Sequence, residues 1–159
     1  EYLALVFGDF AHPVRARGRL VHDDSSAVAK KKRFLAGDFS ENDPCSADTE
    51  LIPLRRFGKD MTLVRAIPHT GRQHQIRATL FSLGFPLAGD KLYGPDERIF
   101  LKIRSQTISD ADRALLRLPA QALHSERLEF RHPFLNKQIR CVSPMPESWE
   151  KLEKQETIQ

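Results

Sequence analysis

The chain has 159 residues, 40% hydrophobic and 29% charged, and Lys+Arg exceed Asp+Glu by 25 to 21 for a net charge of +4. That length holds one domain with a real core, and the composition excludes disordered and fibrous classes. The positive excess suits a nucleic-acid or phosphate partner. No apolar run reaches the length needed to span a bilayer, and no signal segment is evident, so a chain neither membrane-embedded nor secreted by its own signal is expected.

The run Tyr2-Leu3-Ala4-Leu5-Val6-Phe7, stopped by Gly8-Asp9, predicts a buried strand followed by a turn. From His22 to Asp48 the chain is polar and weakly periodic, which predicts a long mobile loop. Its basic tetrad Lys30-Lys31-Lys32-Arg33 reads either as a solvated surface feature or as a direct RNA contact. Cys45 and Cys141 are far apart and belong to no Cys-x-x-Cys pair, so reduced thiols in a cytoplasmic protein are expected.

Residues 49–54 and 61–67 are β-favouring runs around the turn-forming Phe57-Gly58-Lys59-Asp60, and predict a hairpin. Pro53 cannot donate to a ladder, which places its strand at an edge or at a bulge. Ser109-Asp110-Ala111-Asp112 opens a helix that Pro119 ends. Ala122 to Phe130 and Gln138 to Val142 read as strands, and a short helix is expected around Trp149. Strands outnumber helices and are joined mostly by hairpins, so the expected fold class is α+β, with a largely antiparallel mixed sheet and flanking helices.

Between these elements lies Thr70-Gly71-Arg72-Gln73-His74-Gln75-Ile76-Arg77, a concentration of donors suited to a polyanion. Thr70 and Gln73 have the spacing of a capping box, and Gly84 supplies a helix stop. Ile76, Leu80 and Leu83 recur at helical spacing and should face the sheet. Arg77 then stands at the edge of the buried face, where its cation needs a carboxylate or a phosphate. Arg72 in a first turn would oppose the macrodipole, which points to an anion bound there, with His74 and free N–H groups; the alternative is that these residues are solvated or paired with nearby acids. His69 and His74 are five apart and do not share a helical face, so no metal site is expected from them. Gly89-Asp90-Lys91-Leu92-Tyr93-Gly94 reads as a turn with Asp90 bonding local backbone.

Three motifs, Pro68-x-Thr70-Gly71-Arg72-x-His74-Gln75-Ile76-Arg77, Gly84-x-Pro86-x-x-Gly89-Asp90-x-x-Tyr93-Gly94 and Leu123-His124-x-x-x-Leu128-x-Phe130-x-His132-Pro133, together resemble the RluA family of RNA pseudouridine synthases. Tyr2-Leu3-Ala4-Leu5-Val6-x-Gly8 resembles that family's active-site tyrosine strand, and Ala47-x-Thr49 the entry to its next strand. The resemblance implies isomerisation of a uridine in ribosomal or transfer RNA, without cofactor or metal and with no obligate protein partner. The base is flipped out of its stack for the reaction. It also implies that Tyr2 packs on the flipped base and serves in proton transfer from C5, and that Arg77 orients a catalytic aspartate. Arg72, Gln73 and His74 would face the RNA, and Leu123 would wall the base.

The family's aspartate lies in a His-Arg-Leu-Asp segment ahead of the tyrosine strand, and Asp9, Asp23, Asp38 and Asp90 do not occur in that context. Residues 1–159 are therefore expected to be the N-terminally incomplete, later portion of a catalytic domain, inactive alone, with Arg77 missing its main partner and met by water, an anion or a substitute acid. Thr79 stands where the family usually has a second histidine. Two other readings differ in class. One is an RNA-binding module without catalysis, the other a phosphate-ester hydrolase built on His69 and His74.

Overall fold

The computed structural model describes residues 1–37, 39–40 and 42–157, the last two as backbone only. Strands β1 (Tyr2–Phe7), β2 (Val14–His22), β3 (Lys32–Ala36), β4 (Ser46–Phe57) and β5 (Met61–Pro68) come first. Helices α1 (Gln75–Ser82), α2 (Arg98–Arg104) and α3 (Asp110–Leu116) follow, then β6 (Leu123–Ser125), β7 (Arg127–Arg131), β8 (Gln138–Val142) and α4 (Glu147–Thr157). Six strands form one sheet in the order β3-β2-β4-β5-β1-β6, and β7 and β8 form a separate ribbon. Every strand pair is antiparallel, in keeping with the expected α+β class.

β1 is a continuous apolar run because both its faces are covered. Leu3 and Leu5 pack with Phe57, Met61, Ala122 and Trp149 on one side. Ala4 and Val6 pack with Val64, Ala66, Ile76 and Leu80 on the other. Ile76 and Leu80 of α1 thus face the sheet as their spacing predicts, and the helix ends as Gly84 predicts. Gly84 takes a φ of 87°, its N–H donates to the Phe81 carbonyl, and the Phe85 N–H donates to the Leu80 carbonyl. That is a Schellman closure, which needs a left-handed residue where glycine stands.

The hairpin of β4 and β5 forms, and Pro53 sits at the shift of register between Pro53 and Arg55, beyond the last residue of β4 that pairs with β2. The long loop expected over 22–48 is corrected in part, since β3 lies within it and completes the sheet on β2. Asp38 lies outside the described residues. The basic tetrad divides as well: Lys31 is buried over the Phe81 ring with its Nζ 2.5 Å from a Glu97 oxygen, whereas Lys32 and Arg33 belong to β3. The single strand expected from Ala122 to Phe130 breaks at Glu126, where the chain leaves the sheet edge for the ribbon.

Candidate active site

The start of β1, the end of β5 and the start of β6 lie side by side. Tyr2 stands opposite Ala66 on one flank and Ser125 on the other, and Leu123 stands opposite Ala4. This register brings Tyr2 and Leu123, 121 positions apart in the chain, onto neighbouring strands. The loop from His69 to His74 then carries the backbone from β5 to α1 above them.

The buried amide of Gln75 organises that loop. Its oxygen accepts from the Arg72 N–H at 2.9 Å and from the Thr70 hydroxyl at 2.8 Å. Its nitrogen donates to the Asp48 carbonyl at 3.0 Å and to the Thr49 hydroxyl at 2.9 Å. The expected capping box of Thr70 and Gln73 does not form, because Gln75 claims the Thr70 hydroxyl, which in turn accepts from the Asp48 N–H. The helix begins at Gln75, with His74 as N-cap in the left-handed region at φ 61° and no side-chain cap. Arg72 consequently precedes the helix, so the macrodipole argument does not apply to it. Its Nε donates to the Ser46 carbonyl at 3.0 Å.

Arg77 is not short of a carboxylate. Asp90, fully buried, takes its Nε at 2.7 Å and Nη2 at 2.8 Å, a bidentate pair. The same carboxylate accepts the N–H groups of Leu92 and Tyr93, each at 2.9 Å, which is the local turn bonding expected of it. The acid that meets Arg77 is thus the turn residue Asp90, while Nη1 has no hydrogen-bond partner among the described residues. The Arg77 guanidinium also lies 4.9 Å from the centre of the Tyr93 ring.

Tyr93 connects this pair to His74. Its hydroxyl accepts the Lys32 N–H at 2.8 Å and lies 3.1 Å from His74 Nδ1, with the two rings edge to face. Burial, followed by the charge of Arg77, holds the His74 imidazole below its ordinary pKa. In the neutral ring, Nδ1 can accept from the Tyr93 hydroxyl, a tautomer that places the proton on Nε2. Burial raises the Tyr93 phenol, so the hydroxyl keeps its proton for that bond.

Tyr2, Arg72, His74, Arg77 and Leu123 all line one cleft of about 370 Å³. Gln73 is exposed and does not line it. A second hollow of about 300 Å³, bordered by Lys30, Lys91 and Phe100, shares His74, Arg77 and Gln121 with the first. Among the described residues no carboxylate lines either hollow. The arrangement offers an aromatic face, an apolar wall and several cationic donors, which can hold a nucleotide, and among the described residues it presents no carboxylate for nucleophilic or acid–base work. Sequence reading missed Gln75 as the organiser of the loop, Tyr93 as the link to His74, and Gln121 at the junction. The Gly-Asp-x-x-Tyr-Gly spacing was the available signal for Tyr93. Among the described residues no three His, Cys, Asp or Glu side chains form a metal-binding group, and no helix is long and apolar enough to cross a membrane.

The family described as RNA pseudouridylate synthase matches residues 1–82. Ribosomal large subunit pseudouridine synthase D of Nitrosomonas europaea is 44% identical over 86 residues, covering 54% of this chain and 22% of that protein. The dual-specificity RNA pseudouridine synthase RluA of Pasteurella multocida is 33% identical over 91 residues, covering 57% of this chain and 34% of that protein. The chain therefore spans well under half the length of these relatives. Among solved structures, human RNA pseudouridylate synthase domain containing 1 superposes with a TM-score of 0.64 at 24% identity, over 90% of this chain and 53% of that one, which establishes the shared fold. With the tyrosine strand, the arginine helix and the cleft between them all in place, this chain belongs to the RluA family of RNA pseudouridylate synthases.

Proposed function

We infer that this chain carries the uridine-binding part of an RNA pseudouridine synthase acting on ribosomal or transfer RNA in the cytoplasm. The observation that carries the reading is the convergence of Tyr2, Arg72, His74, Arg77 and Leu123 on one cleft. In the reaction the N1–C1′ bond of a flipped uridine breaks, the base turns, and C5 joins C1′. The C5 proton is lost and N1 gains one, so atoms balance without a cofactor. The Tyr2 ring stacks on the base and its hydroxyl takes part in the C5 proton transfer. Leu123 forms the apolar wall, and Arg72 with the Nε2–H of His74 meets the RNA backbone.

Among the described residues the cleft lining offers no carboxylate, and the reading assigns the central step to the aspartate of the His-Arg-Leu-Asp segment that the family carries ahead of its tyrosine strand. Arg77 orients that group through Nη1, while Asp90 fixes the guanidinium from behind. The lack of a lining carboxylate among the described residues also favours a second reading, a module that binds RNA without modifying it. Incubation with unmodified RNA and chemical mapping of pseudouridine separates the two. Residues 1–159 alone should give no product, and product should appear when a preceding His-Arg-Leu-Asp segment is joined to them. Turnover by residues 1–159 alone would refute the external aspartate, and silence with the segment joined would favour the binding module.

A further inference from the structure

Beside the cleft, on the outer face of β2, lies a recess of about 240 Å³ whose lining includes Arg15, Arg17, Phe39, Asp48 and Arg72. The alternation of β2 sends Ala16 and Leu20 into the core and leaves Arg15, Arg17 and Arg19 exposed on the opposite side. Asp48, opposite Arg17 in the ladder, is buried beneath them. It accepts Arg15 Nε at 3.1 Å and Nη2 at 2.9 Å, and lies 3.3 Å from Arg17 Nε. The two arginine side chains stay about half exposed above it, at 54% and 51%, while the carboxylate side chain is 4% exposed. Arg17 is further steadied over the Phe39 ring at 4.5 Å. Among the described residues the lining sets three arginines against the single carboxylate of Asp48. The anion is at the bottom and the cations are at the rim, so the open face is positive.

Thr70 and Arg72 line both this recess and the cleft, so the two are continuous along one ridge. A single strand leaving the cleft meets Arg72 first and Arg17 next. We propose that the recess is a second RNA subsite, which takes a phosphodiester of the single-stranded segment adjoining the nucleotide in the cleft; this rests on the RNA-modifying reading above. Guanidiniums held at fixed angles by one buried acid suit the planar fork contact with phosphate oxygens.

The test is binding of the full chain to a labelled oligouridylate of about 16 nucleotides, within the length range that single-strand grooves accommodate. Arg17→Ala is the informative variant, since Arg15 keeps its bidentate bond to Asp48. Arg56→Ala removes the same charge at the far end of β4, where Arg56 lies 2.8 Å from Asp9. Loss of one single-strand phosphate contact should weaken binding about fivefold at about 0.1 M salt and flatten the log–log salt slope by about 0.7. Arg17→Lys should recover part of the loss, and Arg56→Ala should leave binding as in the wild type. An unchanged Arg17→Ala beside a weakened Arg72→Ala overturns the subsite and leaves the cleft reading standing. Equal losses in Arg17→Ala and Arg56→Ala also overturn it, since they would report only overall charge. A wild-type chain that does not bind the oligomer overturns both readings.

Discussion

Asp90 accepts four hydrogen bonds, two from Arg77 and one each from the N–H groups of Leu92 and Tyr93, and it is fully buried. Removing one partner of a buried ion pair leaves the other charge uncompensated, at a cost of about 3–5 kcal/mol. Asp90→Ala should therefore lower the urea midpoint sharply, and a double-mutant cycle with Arg77→Met should show coupling, because the second substitution removes the stranded cation. Additive losses would mean that Asp90 stabilises the turn alone. His74 makes a pH-dependent prediction. Its folded pKa lies below its ordinary value of about 6.5 because of burial and the nearby Arg77, Lys30 and Lys32, with Asp90 opposing. The folded state thus favours the neutral ring. That contribution is complete above about pH 6.5 and is lost as pH falls through the lower, folded value. His74→Asn tolerates the left-handed backbone and does not titrate, so its melting temperature should fall less than the wild type's between about pH 8 and about pH 5.5. Equal falls would assign the acid sensitivity to other groups. At this scale Arg72, His74 and Arg77 were singled out from the residues and Tyr2 and Leu123 from the family resemblance, and all five line the cleft. The bond between Arg77 and Asp90 was not, because it spans 13 positions and depends on how the turn folds back onto the helix.

Among the elements, β3 is an edge strand paired with β2, and the two strands approach closely where Gly18 faces Ala36. A Cβ at position 18 would fall 2.0 Å from the Leu35 carbonyl oxygen, far inside contact distance and against backbone that cannot rotate away. Gly18→Ala should push β3 outward, with the roughly 1–3 kcal/mol cost of overpacking. Hydrogen exchange should then rise at the amides of Lys32–Ala36 while β4 and β5 keep their protection; protection unchanged in β3 would show that the strands part without cost. The same feature explains why β2 and β3 were not read from the sequence. The inward members of β2 include Ala16 and Gly18, whose apolar contrast with the flanking arginines is slight, and of the five residues of β3 only Phe34 is buried. β1 and the β4–β5 hairpin were legible because long apolar runs and a glycine-centred turn signal burial and reversal without tertiary information. The start of α1 was misplaced because two glutamines near the helix start compete for Thr70. Which one wins depends on Asp48 and Thr49, supplied by a distant strand.

Across the whole molecule, stability is unevenly distributed, and the site lies on its firm side. β1 is covered on both faces and flanked by β5 and β6, and the cleft is built from its first residue, the end of β5 and the helix packed over them. The β7–β8 ribbon pairs with no strand of the main sheet, and its side chains are exposed or half-buried along its whole length. Phe134, at the ribbon's turn, is 92% exposed. A two-stranded ribbon is marginal by itself in water. Its base, however, is tied to the sheet, because the Glu1 backbone nitrogen donates to the Arg127 carbonyl at 2.7 Å and the Arg127 N–H donates to the Glu1 carbonyl at 3.2 Å. Sub-global opening should therefore begin at the turn and run towards Arg127 and Val142, the pair nearest Glu1. Native-state hydrogen exchange should show the amides of Arg131 and Gln138 exchanging first, those near Arg127 later, and those of β1 and β5 only with global unfolding. If the ribbon exchanged together with β1, the molecule would be a single cooperative unit and the separation of sheet from ribbon would have no energetic meaning. If it opens first, Tyr2 and Arg77 keep their positions while the ribbon moves. Variants in the ribbon could then be made without disturbing the cleft.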